Sequence, residues 1–509
     1  MTEVGTENAA AVPNAIPVAP TLGRAQFFKH GFLYGAAQVL VRGVSLFLLP
    51  LYTRVLTPTD YGIMDITGIA VTFLTTAVSL EISQAVGRHY TDAADDDERQ
   101  EIASTGLWFT AAAFTASVAI IVPLAPWIAG WMLSNSDHAD IVRVAGAGLL
   151  AQGLLYYTME QLRWQLKPQF HAVVAVVSSF TLIAATATFV LALHLGVIGV
   201  FYGQLVGNAP GIALALWFGR SAYAFRFSTR TLRTMLSFSI PLVPGTAAVT
   251  AAFMIDRVAV RALMSLAALG IYGIAYRFAT LISLVMIGVN GAFMPLIFRH
   301  HRERSTPRTI ADIYRYFVCL ATIMLLTLSF FSGWILRIMT TPKYYAAADV
   351  VPLVVLAVIF SSMAIFAPGL LIAKRTRTVA AINVGATLLN TVLVFVLVPP
   401  FGLAGAAIGT MTSFGLAWAA QMIMSQRAYP VPHAWRRIAA AAALAAAALA
   451  AFWFGGGRVL PAEEDAASFA LELGCALATS AGVLVLLLRR EDLTAFKRVA
   501  LGRLRPATS

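Results

Sequence analysis

Long apolar runs alternate with short polar ones along almost the whole chain. Most runs hold about 20 residues or more, the length a helix needs to cross a hydrocarbon layer. The runs are continuously apolar, whereas the strands of a membrane β-barrel alternate apolar and polar positions. The pattern predicts an all-α integral membrane protein with about fourteen spans. They fall near 27–54, 59–86, 102–133, 140–163, 168–194, 197–219 and 235–264, then near 267–298, 310–339, 345–373, 377–398, 401–426, 435–455 and 467–488. Residues 1–22 are polar and contain Pro13, Pro17 and Pro20. Without a basic stretch ahead of an apolar one, they read as a disordered cytoplasmic tail and not as a cleaved signal.

Composition excludes a soluble protein. Hydrophobic residues make up 59% of the chain and charged ones 12%, with a mean hydropathy of +0.78. A soluble domain carries about 25% charged residues, enough to cover its surface. The net charge of +12 would suit nucleic acid, but its distribution has another origin. Lys and Arg crowd alternate loops: Arg220, Arg226, Arg230 and Arg233, then Arg299, Arg302, Arg304 and Arg308, then the tail from Arg489. The intervening loops hold only Arg54, Arg261, Arg337, Lys343 and Arg458. The positive-inside rule therefore places both termini in the cytoplasm. Anionic lipid headgroups are the expected partners of the basic loops, and nucleic acid is not.

The predicted outer loops are short. The longest, Gly455 to Ala467, carries Glu463, Glu464 and Asp465. That leaves no room for the outer domain of a membrane glycosyltransferase or polymerase. Cys319 and Cys475 lie in apolar runs, far from any His or Cys at metal-ligand spacing. Gly455-Gly456-Gly457 lacks the Gly-Lys-Ser/Thr that cradles phosphates. The expectation is a transporter, not an enzyme, with no metal or cofactor.

Two copies of one unit are visible. Tyr61-Gly62 follows the first span and Tyr272-Gly273 the seventh. Gly196 to Val200 opens the sixth span and Gly402 to Ala406 the twelfth. Lys167-Pro168 and Arg375-Thr376 occupy matching turns. The expected organisation is a tail (1–22), an N-lobe of six spans (23–220), a C-lobe of six (221–430), an added pair (431–489) and a basic tail (490–509). Substrate sites of such transporters lie between the repeats.

Ionisable groups at membrane depth mark candidates, because burying them there is costly. Arg42 sits near the middle of the first span, too deep to snorkel easily. Arg257 and Arg277 lie toward the outer parts of the seventh and eighth spans, and Asp65 in the outer half of the second. Asp256 is expected to pair with a nearby cation, Arg257 first. Guanidinium groups in a cavity suit phosphates, which they bind bidentately. A cation exporter would instead use the carboxylates, so Asp65 and Asp256 are candidates for ion coupling. Glu81, Glu160 and Arg163, near the cytoplasmic ends, read as structural pairs or as contacts to lipid headgroups. Pro50, Pro241, Pro244, Pro295 and Pro368 are candidate hinges, since proline removes a backbone hydrogen bond.

The stretch LLPLYTRVLTPTDYGIMD (Leu48 to Asp65) resembles the first-helix signature of the polysaccharide-biosynthesis branch of the MOP superfamily, the Wzx-type flippases. Its elements here are Pro50, Tyr52, Arg54, Leu56, Pro58, Asp60, Tyr61 and Gly62. FSIPLVPG (Phe238 to Gly245), DRVAV (Asp256 to Val260) and GIYGIAYRF (Gly270 to Phe278) are similar to that family too. The resemblance implies two six-helix lobes in an inverted V. It implies movement of an undecaprenyl-pyrophosphate-linked oligosaccharide between leaflets for exopolysaccharide, O-antigen or capsule assembly. It also implies partners among polysaccharide polymerases and chain-length proteins, and a cavity arginine holding pyrophosphate or acidic sugar, with Arg42 the best match by position. Two relatives stay open as alternatives. The lipid II flippase also has fourteen helices, but its first helix carries a Ser-Arg-x-x-Gly pattern from which this chain departs. The drug-exporting MATE family has twelve.

Overall fold

A computed structural model describes Gly43 and residues 48–300, 303–454 and 466–488. Arg42, most of the expected first span and both tails lie outside the described residues. Every regular element described is helical. In chain order they are α1 (Leu49–Val55), α2 (Pro58–Ser79), α3 (Ile82–Asp92), α4 (Asp96–Leu133), α5 (Ala139–Trp164), α6 (Pro168–Ala187) and α7 (Gly196–Gly219). The second half holds α8 (Thr229–Ser239), α9 (Val243–Ala252), α10 (Ile255–Leu263), α11 (Leu266–His300), α12 (Thr306–Phe330), α13 (Ser332–Met339), α14 (Val351–Met363), α15 (Gly369–Ile372) and α16 (Thr376–Ala428). Two more, α17 (Trp435–Phe454) and α18 (Ala466–Leu487), follow.

Eleven of the described helical stretches are long and apolar enough to cross a membrane. One of them, α16, doubles back at Gly402, whose φ of 56° and ψ of −134° break the helix. The expected fourth span, α5, is long enough but carries Gln152, Thr158, Glu160 and Gln161 on a helix otherwise sandwiched between α4 and α7. Large apolar side chains such as Phe180, Ile338, Leu471 and Val485 are exposed, as a lipid-facing surface requires. Exposed Trp108 and Trp131 lie 23 residues apart on α4, about 35 Å at 1.5 Å per residue. That matches aromatic belts at the two faces of a bilayer. This is a multi-pass, all-α membrane protein.

The repeat has a geometric counterpart. α6 and α7 form a hairpin whose turn places Gly196 at φ +61°; the hairpin within α16 places Gly402 at φ +56°. Beyond each turn, glycines let the two arms touch: Gly203 faces Thr186 and Gly207 faces Leu182, while Gly405 faces Leu397 and Gly409 faces Val394. The turns before these hairpins match as well. Leu166 and Lys374 both take left-handed backbone, at φ 54° and 55°. The following amides reach back alike, from Lys167 to Leu162 and from Arg375 to Leu370. One bundle, α4 to α7, packs on itself, and a second gathers α10, α11, α14 and α16. They meet chiefly where α2 crosses α11.

Several expected spans are segmented. The second breaks after α2, where Leu80 and Glu81 sit in left-handed backbone at φ 45° and 54°. The seventh is divided into α8, a 3-10 turn at Ile240–Leu242, α9 and α10. Pro241 lies in that turn and Pro244 in the first turn of α9. Pro368 caps α15 after a second 3-10 turn at Ala364–Phe366. Pro50 sits in the first turn of α1, where its missing N–H leaves no bond unmade. Pro295 falls inside α11 without ending it. Breaks coincide with prolines at Pro241, Pro244 and Pro368, then, but not at Pro50 or Pro295.

Candidate functional site: the crossing of α2 and α11

The sequence fixes the start of α2 firmly. Thr57 and Asp60 form a capping box: the Asp60 amide donates to Thr57 Oγ1 at 3.2 Å and the Thr57 amide to Asp60 Oδ2 at 3.0 Å. This aims α2 across the first turn of α11. The two backbones then touch. A Cβ at Gly62 would lie 1.8 Å from the Leu266 carbonyl oxygen, and one at Gly270 would lie 2.0 Å from that of Pro58. Around this contact Tyr344 donates to the Leu56 carbonyl at 2.9 Å and Thr53 to that of Met339 at 3.0 Å. Tyr61 is fully buried, edge-on to Tyr344 with centroids 5.9 Å apart. One end of the molecule is thereby sealed by backbone and aromatic rings.

Behind the seal lies a buried polar cluster contributed by α2, α10, α11 and α16. Arg277 donates from Nε to the Tyr61 hydroxyl at 3.1 Å. Arg257 approaches Asp65, Nη1 to Oδ2, at 3.8 Å, and its guanidinium lies over the Tyr276 ring at 3.9 Å from the centroid. Asp256 is 1% exposed. Its Oδ2 accepts hydrogen bonds from Tyr272 at 2.9 Å, from Thr410 at 3.3 Å and from Tyr276, while the Arg257 amide donates to Oδ1.

The cluster redistributes the expected pairings. Asp256 is satisfied by three hydroxyls and a backbone amide, and the guanidinium of Arg257 turns to Asp65 across the crossing. That pair is loose: Arg257 Nε and Asp65 Oδ2 have no hydrogen-bond partner among the described residues. Arg277 makes no salt bridge to any described carboxylate within contact distance, but it lies in the field of Asp65, so the two guanidiniums share that one carboxylate. Sequence reasoning brought Arg257, Arg277, Asp65 and Asp256 forward, and the structure gathers all four. It missed Tyr276 and Thr410. The signal for Tyr276 was Tyr272, one helical turn earlier on the same face; Thr410 had none, being 154 residues from Asp256.

At the other end a cleft of about 810 Å³ opens between α3 and the segment Phe238–Thr250. Glu81, Gln84 and Arg88 line it with Trp164. Nearby Glu160 and Arg163 pair at 3.4 Å. Glu81 has no such partner among the described residues.

A chain of membrane-crossing helices, doubled into two bundles with a polar cluster at their crossing, is a membrane flippase or transporter. Residues 27–301, more than half of the sequence, match the polysaccharide biosynthesis protein family, and the chain belongs to it. Residues 241–396 also match the MatE family. Among solved structures the fold is similar to the lipid II flippase MurJ in an inward closed conformation, at a TM-score of 0.67 and 15% identity over 93% of this chain and 100% of that one. An inward-facing multidrug resistance MATE family transporter of the MOP superfamily aligns at 0.63 and 14% identity, covering 81% of this chain and 95% of that one. The outward-facing form aligns at 0.59 and 14% identity, covering 81% and 96%. No curated protein matches the chain.

Proposed function

We propose that this protein flips undecaprenyl-pyrophosphate-linked oligosaccharide repeat units from the cytoplasmic to the outer leaflet of a bacterial inner membrane, for exopolysaccharide, O-antigen or capsule assembly. The observation that carries the reading is Arg277, a guanidinium inside the crossing that makes no salt bridge among the described residues and shares its nearest carboxylate, Asp65, with Arg257. A cation left unpaired in a low-dielectric site is costly unless an anion arrives. Pyrophosphate supplies that anion and can occupy the planar donor fork. Arg257 contributes when it exchanges Asp65 for substrate. Arg42 is the proposed third anion contact.

The charge of alternate loops places the sealed end outward and both termini in the cytoplasm. The seal at Gly62 and the cleft at the opposite end then support an inward-open state. No bond of the substrate is made or broken. Asp256 is the proposed coupling group for an ion gradient, and Asp65 balances Arg257 while the carrier is empty. The lipid tail stays in the bilayer while the headgroup moves, and polymerases and chain-length proteins are the proposed recipients.

The test is a liposome assay following a fluorescent oligosaccharide linked to a short prenyl pyrophosphate. Arg277→Ala should slow flipping at least about tenfold, the loss expected for a charge-assisted contact, with expression and folding intact. Full activity in that variant sinks the assignment. The MatE match covers both Asp256 and Arg277 and favours a second reading, a gradient-driven exporter of small cations. That protein would lose transport of its drug in Asp256→Asn and keep it in Arg277→Ala.

A further inference from the structure

The cleft opposite the seal has its own chemistry. α2 and α3 would be one straight helix but for Leu80 and Glu81, both non-glycine residues in left-handed backbone. Such residues are uncommon outside glycine, because their Cβ crowds the backbone in that region. The break places Glu81 on the wall of the cleft. No hydrogen bond or ion pair of its carboxylate is found among the described residues, although Arg88 lines the same cleft. The Arg88 guanidinium instead lies over the Phe238 ring, 4.7 Å from its centroid. Gln84 is also uncommitted. Trp164 forms part of the wall, pressed so closely on α3 that a Cβ at Gly87 would come within 2.3 Å of its ring. Thr246 and Thr250 face these groups from α9; their hydroxyls donate to their own helix and keep lone pairs free.

A carboxylate, an amide, threonine oxygens and an indole suit a ligand rich in hydroxyl donors with an apolar face. Glu81 and Arg88 cancel in charge, so the cleft gives an anion little net attraction. We infer that the cleft bounded by Glu81, Gln84, Trp164 and Thr246 is the subsite for a neutral sugar of the lipid-linked substrate, with Glu81 the specificity-determining residue. This rests on the flippase reading and refines it, because the anionic part of the cargo is confined to the arginine cluster. Glu81 lies twenty residues beyond Tyr61, about 30 Å along a helical path. A ligand meeting both ends is therefore extended, as an oligosaccharide is.

The experiment measures equilibrium binding of the purified full-length protein to three probes: farnesyl pyrophosphate, the same carrying a neutral N-acetylhexosamine oligosaccharide long enough to reach from the arginine cluster to Glu81, and the same carrying a hexuronic acid oligosaccharide of equal length. The neutral sugar should tighten binding over the bare pyrophosphate, and the uronic acid should not. Glu81→Gln should lose about tenfold in affinity for the neutral-sugar probe, as for removal of a charge-assisted hydrogen bond. Its binding of farnesyl pyrophosphate should be unchanged, which also shows that the variant is folded. Wild-type affinity of Glu81→Gln for the neutral-sugar probe, or equal gains from both sugars, overturns the inference and leaves the flippase reading standing. Wild-type protein that binds none of the three overturns both.

Discussion

Gly62 and Gly270 do more than fit a crowded place. Each lies where the partner helix presents a carbonyl oxygen closer than any side chain could tolerate. A methyl group at either position must push α2 and α11 apart, and overpacking of this kind costs about 1–3 kcal/mol. Opening this end would require the contact to part, so the cost should fall on the sealed conformation. Gly62→Ala should therefore leave the protein folded but open at that end, and cysteines placed near Leu56 should label faster in it; unchanged labelling would mean that the crossing does not set the equilibrium. Tyr61 acts at the same point by chemistry. Removing its hydroxyl in Tyr61→Phe takes the acceptor from Arg277 Nε and should weaken transport less than Arg277→Ala, because the charge stays. An equal loss would show that Tyr61 is itself a substrate contact.

Helices are where the sequence was most and least readable. Apolar runs mark α7, α17 and α18 to within a few residues, since burial in lipid demands unbroken apolar length. The Gly196 and Gly402 turns were visible because each opens a span with a glycine in the same repeated pattern. Breaks were harder. Those at Pro241 and Pro368 coincide with prolines, but the left-handed Leu80 and Glu81 carry no such mark. The same holds for the site: its charges were legible one at a time, and their pairing was not. The last two helices are tied down by contacts no local pattern announces. His433, in the turn before α17, stacks edge-on against Tyr314 of α12 at 4.8 Å and against Trp435 at 5.0 Å. Neither of its ring nitrogens has a hydrogen-bond partner among the described residues, and burial pushes its pKa down to about 4. The unfolded chain takes up that proton near pH 6.5 and the folded one only near 4. Its contribution to stability is thus full above about pH 6.5 and is lost as the pH falls through that window. The melting temperature should drop between pH 7 and 4.5, and His433→Phe should reduce the drop. An identical drop in that variant would assign acid sensitivity elsewhere.

For the molecule as a whole, the two ends are unlike. One is closed by backbone contact and the other opens into the cleft lined by Gln84. With Cys319 and Cys475 replaced, a Gln84→Cys protein should react with a membrane-impermeant maleimide from the cytoplasmic side of inverted vesicles and not from intact cells. Reaction from intact cells alone would reverse the proposed orientation. The sealed crossing also has a pharmacological side. A compound arriving at the Pro58 and Leu266 face meets main chain packed too tightly to admit a methyl group, and so finds nothing to grip. In the proposed orientation an inhibitor of this state has to reach the opposite mouth, which would give compounds that permeate the bilayer an advantage over larger agents confined outside the cell.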